Sequence, residues 1–105
     1  MSATNNKNYS KLHKLKGKIV EYILLYCINY SSILEISFEI QRISPIPCSN
    51  VKRYLFYLID YEFISYNGQK KMFLTEKQGF DLLYKINKKK KNVMVNSEDI
   101  EIMLK

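Results

Sequence analysis

Residues 54–86 read YLFYLIDYEFISYNGQKKMFLTEKQGFDLLYKI, and how this stretch folds decides the fold of the chain. At its middle, Asn67-Gly68 is bracketed by residues 63–66 and 71–74, two short runs of mostly strand-favouring residues. Asn and Gly tolerate the positive φ that both central residues of a type I′ turn require. The segment therefore predicts a β-hairpin with its loop at residues 67–70. Both flanks are helical in pattern. Upstream, Val51, Tyr54, Leu55, Leu58 and Ile59 recur at helical spacing, which predicts a helix from Ser49, its cap, to near Tyr61. Downstream, Thr75-Glu76-Lys77-Gln78 has the spacing of a capping box. It opens a helix with Phe80, Leu83, Tyr84 and Ile86 as apolar positions, running into Lys88–Lys91.

Working towards the N-terminus, Pro45 and Pro47 in SPIP break helical structure, since proline lacks the amide a helix interior uses. Before them, Ser32-Ile33-Leu34-Glu35 is another capping box and predicts a helix over residues 32–42, with Ile33, Ile36 and Ile40 inward. Its β-branched content also suits a strand, and the cap decides for helix. Earlier still, Leu12, Leu15, Ile19, Tyr22, Ile23, Tyr26 and Cys27 step by threes and fours. They predict a first helix, firmest over 17–29. In the tail, Ser97 followed by acids, with Ile100, Met103 and Leu104 at helical spacing, predicts a short final helix. The domain reading is a disordered basic arm over 1–13, a folded domain over 14–91 and a tail over 92–105 available for dimerisation.

The chain has 105 residues, enough for one core, and 47% of them are hydrophobic, enough to fill it. No apolar run approaches the ~18 residues a membrane span needs, and the N-terminus lacks the apolar core of a signal peptide. Two cysteines without an export signal are expected to be reduced thiols in a cytoplasm. The net charge is +7, which favours an anionic partner. Lys7, Lys11, Lys14, Lys16 and Lys18 form one acid-free flank, and Lys85 with Lys88–Lys91 forms another. Part of this excess matches the Lys, Asn, Ile and Tyr bias of A+T-rich coding.

Helix, helix, turn, helix, hairpin, helix is the order of a mainly α winged helix-turn-helix. Three segments carry a resemblance: KIVEYILLYC, VKRYLFYLIDYEFI and GQKKMFLTEKQGFDLLYKI. With the Tyr54, Leu55, Leu58 spacing and the Leu74–Leu83 pattern LT-x-K-x-G-x-x-LL, residues 18–88 resemble an archaeal winged-helix family of small basic DNA-binding proteins. Members of that family dimerise through a C-terminal antiparallel coiled coil. This chain departs from the pattern at Pro47, where a Ser-type cap is common, and after Lys91, where the family's terminal helix continues. The resemblance implies double-stranded DNA as partner, a homodimer, and a transcription-regulating or nucleoid-associated role in the cytoplasm.

On the third helix Ser49, Asn50, Lys52, Arg53 and Tyr57 turn away from the apolar stripe. Asn50 suits adenine, and Arg53 or Lys52 suits guanine or phosphate. Gln69, Lys70 and Lys71 at the hairpin suit the phosphate backbone. Each also fits an ordinary solvated surface. Phe56, Tyr57 and Tyr66 would instead form an apolar patch if the domain bound a protein. Structured RNA is a third expectation. Cys27 reads as core, while Cys48 near a helix N-terminus lacks a base beside it. His13 with two distant cysteines does not make a metal site. No catalytic residue, cofactor or small-molecule substrate is expected.

Overall fold

In the computed structural model, residues 13–93 and 100–104 are described, and they build a mainly helical fold around one core. The chain enters as strand β1 (His13–Lys16), followed by helix α1 (Gly17–Tyr26) and a short 3-10 turn. Helices α2 (Ile33–Ile43) and α3 (Cys48–Asp60) come next, then a hairpin of β2 (Ile64–Asn67) and β3 (Met72–Thr75). Helix α4 (Lys77–Val93) and strand β4 (Glu101–Leu104) complete it.

Helix α1 is the centre. Ile19, Val20, Ile23 and Leu24 are buried on it, because α2, α4 and β3 all pack against it. Sequence periodicity picks out one face; the structure adds Val20 and Leu24, and Tyr22 and Tyr26 are only half-buried. A helix enclosed on several sides is apolar nearly all round.

The firm part of this helix, residues 17–29, is observed as α1 and the 3-10 turn, but Leu15, placed on its apolar face, is not helical. Leu15 lies in β1, which pairs antiparallel with β4 in the register Leu15↔Ile102. The helix expected after Ser97 is, over Glu101–Leu104, that partner strand; Ser97 itself lies outside the described residues. Helical spacing at Ile100, Met103 and Leu104 was too short a pattern to outweigh strand pairing. Pairing buries Leu15 and Ile100, at 3% and 2% exposure. Gly17 marks the junction: its amide donates to the Ile100 carbonyl at 2.7 Å, and a Cβ there would stand 2.8 Å from the same oxygen. The arm expected over 1–13 falls outside the described residues except for His13.

Helix α2 opens with the expected capping box. Glu35 N–H donates to Ser32 Oγ at 3.2 Å and Ser32 N–H to Glu35 Oε1 at 2.8 Å. Ile36 and Ile40 are buried as expected. Helix α3 begins two residues earlier than predicted, with Pro47 and not Ser49 as its cap. The Pro47 carbonyl accepts from the amides of Asn50 and Val51, so backbone replaces the expected hydroxyl. At its other end Phe63 N–H reaches the Leu58 carbonyl at 2.9 Å, with Glu62 left-handed at φ 63°. That closure stops the helix and redirects the chain into the hairpin.

The hairpin forms with Tyr66 opposite Phe73, their rings 4.8 Å apart. Its loop is residues 68–71, one position beyond the prediction, and it is not a type I′ turn. No glycine has positive φ, and Lys71 instead is left-handed at 56°. Asn67 organises the loop with its side chain, whose Oδ1 accepts from the amides of Gln69 and Lys70, both at 3.0 Å. An Asx turn of this kind does the work assigned to the Asn-Gly pair. Ser31 and Phe73 exchange backbone bonds at 3.1 and 2.7 Å, adding a one-residue bridge to β3.

The second expected capping box is also corrected. Thr75 ends β3, and its hydroxyl donates to the Leu24 carbonyl at 2.6 Å, fixing the hairpin to α1. Glu76 precedes α4 and its carboxylate accepts from Ser65 Oγ. Leu83 and Ile86 face the core; Phe80 and Tyr84 do not.

Candidate nucleic-acid interface

Burial of Val51, Leu55 and Leu58 fixes the rotation of α3 about its axis. That rotation turns Ser49, Asn50, Lys52 and Arg53 to solvent, all four exposed. Phe56 shares the outward face at 65% exposure, and Asp60 ends it. Tyr57 is half-buried and packs on the core, so its ring contributes to packing as well as to the surface.

Gln69, Lys70 and Lys71 are exposed on the hairpin loop. They are not equivalent. The Lys70 ammonium sits 4.2 Å from the centre of the Tyr30 ring, a cation–π contact that holds it against the body of the domain. Lys71, left-handed at φ 56°, lines the space between hairpin and α3.

That space is a groove of about 500 Å³. Its walls are Ile33, Leu55, Phe56, Ile59, Tyr66 and Phe73, with Lys52 contributed by the helix and Lys71 by the hairpin. Two of the eight expected contact residues thus line one groove. Ser49, Asn50 and Arg53 lie along the same helix, and Gln69 and Lys70 beside Lys71. The chemistry available is binding: exposed cations and amides over an apolar floor. Among the described residues no group of three or more His, Cys, Asp or Glu could hold a metal ion, and no helix is long and apolar enough to cross a membrane.

No protein-family model matches the chain. Searches of curated proteins and of solved structures likewise find no match.

An ion pair and two cysteines lie outside the expected site. Lys90, within the acid-free flank at the end of α4, pairs at 3.0 Å with Glu21, whose side chain is 9% exposed. The signal was an acid inside the otherwise apolar IVEYILLYC, since a buried carboxylate needs a cation. Lys88, Lys89 and Lys91 remain exposed. Cys27 is buried, and burial pushes its thiol up to about 12. Cys48 is exposed at the start of α3, its sulfur 3.5 Å from Ser37 Oγ.

Proposed function

We propose that the domain is a winged helix that binds double-stranded DNA, with α3 in the major groove and the hairpin as its wing on the backbone. The observation that carries this reading is the convergence of Lys52 from α3 and Lys71 from the hairpin on one groove. A helix of 13 residues with an exposed polar and cationic face fits the width of a B-form major groove. Asn50 and Arg53 are the base-reading candidates. Lys52, Gln69, Lys70 and Lys71 bind phosphate and set the register. The Ser31–Phe73 bridge supports the reading, because it ties the segment before α2 to the hairpin. The role is regulation or compaction of DNA by binding alone.

Fluorescence anisotropy with a random-sequence duplex at two salt concentrations tests it. With about six phosphates engaged, log Kd should rise with log salt at a slope of about 5. Arg53→Glu combined with Lys71→Glu should abolish binding while Cys48→Ser leaves it intact. Absence of binding at low salt defeats the proposal. A second reading, a protein-binding domain, draws on Phe56 and Tyr66, large apolar groups exposed at 65% and 49% in the same groove. It gains if duplex DNA is ignored and Phe56→Ala abolishes retention of a partner.

A further inference from the structure

Two helix faces away from α3 carry exposed apolar pairs at the same i, i+4 spacing. On α2, Leu34 is 78% exposed and Phe38 66%. With Tyr26, Ser31, Glu35 and Glu39 they line a hollow of about 410 Å³. Glu35 is exposed and Glu39 half-exposed, and burial together with the Glu39 carboxylate holds the Tyr26 phenol protonated above its ordinary range. On α4, Phe80 is 46% exposed and Tyr84 66%, with Lys88 Nζ 5.9 Å from the Tyr84 ring. The exposed charges of α4 are Lys77, Lys85, Lys88, Lys89, Lys91 and Asp81, five positive against one negative. The charges of α2 are the exposed Glu35 and Arg42 and the half-exposed Glu39, the last two paired at 3.2 Å, which leaves Glu35 in excess.

We propose that these faces bind each other between copies of the chain: Phe80 and Tyr84 of one copy enter the α2 hollow of the next, with their lysines against its carboxylates. The occupant follows from charge and shape. Packing α4 on α4 would oppose two lysine-rich surfaces, and like charges across an interface cost affinity. Packing α2 on α2 would set hollow against hollow and carboxylate against carboxylate. Only the pairing of unlike faces puts exposed aromatics into a concavity and unlike charges together. Such a contact is heterologous: every copy keeps one open face of each kind, so assembly continues into chains or closes a ring. A two-fold dimer, which the sequence resemblance implies, uses one face twice and stops at two. Neither face includes a residue of the groove between α3 and the hairpin. The inference therefore stands or falls separately from DNA binding.

Sedimentation equilibrium and light scattering on the full chain, from micromolar to submillimolar concentration, test it. The expected result is a mass that climbs past the dimer with concentration and falls as salt is raised. Phe38→Gln and Tyr84→Gln each replace an exposed side chain by a good helix former. Each alone should raise the concentration needed for association by at least about tenfold. Mixed one to one, they should form a 1:1 pair that grows no further, because only one competent face of each kind remains. A native chain that stays monomeric overturns the proposal. So does association that strengthens with salt, a single variant that still assembles fully, or a mixture that fails to pair. The salt series uses the native chain, so it decides even if a variant folds poorly.

Discussion

Gly79 shows at the residue scale how one missing Cβ positions a helix. It is buried in the first turn of α4, and a methyl there would run into the Phe63 carbonyl and stand 2.7 Å from Thr75 Cγ2. Gly68, the residue that drew attention in the sequence, has nothing within 4 Å of its would-be Cβ and no positive φ. Gly79→Ala should thus cost about 1–3 kcal/mol by overpacking. Gly68→Ala should be neutral or stabilise by up to about 1 kcal/mol by stiffening the unfolded chain. Thermal melts of the two variants check this; equal melting temperatures would contradict it. Cys27 gives a pH prediction. Folding holds its thiol neutral up to about 12, while in the unfolded chain it ionises near 9. Below the lower value both states carry the proton and the term vanishes. Between the two, the unfolded state has lost it, so stability falls as pH rises. Denaturant titrations should show this alkaline loss shrink in Cys27→Ala. A thiol reagent at neutral pH should label the exposed Cys48 first.

At the element scale, α4 is held by one buried ion pair as well as by Leu83 and Ile86. Lys90→Ala leaves Glu21 nearly enclosed without a partner, and with Lys90 itself one-third exposed the cost should be about 1–2 kcal/mol. The double change with Glu21→Gln should recover part of it; if both proteins melt alike the pair contributes nothing. The hairpin was legible in sequence as an element but not in its turn. Asn67 was rightly singled out, yet its side chain and not its backbone makes the loop. Caps divided the same way: Ser32 and Glu35 close the box their spacing implies, whereas Thr75 is drawn to the Leu24 carbonyl 51 residues away. Local spacing describes what a hydroxyl can do, and the tertiary neighbour with the better geometry takes it.

For the whole molecule, β1 and β4 join the beginning and end of the described fold. Their pairing buries Ile100 and half-buries Ile102, and it supplies the acceptor for the Gly17 amide. Ending the chain after residue 99 should remove about 2–4 kcal/mol, from about 1.5–3 kcal/mol for the buried Ile100 side chain and about half of that for the half-buried Ile102. Chemical denaturation measures it, and an unchanged midpoint would show that the strand pair is dispensable. The charge asymmetry belongs to this scale too. Exposed lysines on α4 and carboxylates on α2 flank α1 on different helices, and no local pattern discloses that they could meet in another copy.

The sequence by itself determined the four helices, the hairpin between helical segments, and which side of residues 48–60 faces water. These follow from short-range periodicity, proline and capping, which act within a few residues. Only the tertiary structure decided the strand at each end, the enclosure of α1, the Lys90–Glu21 pair and the groove joining Lys52 to Lys71. Each of those depends on groups far apart in the chain, and their pairing is selected by the burial and geometry of the folded whole.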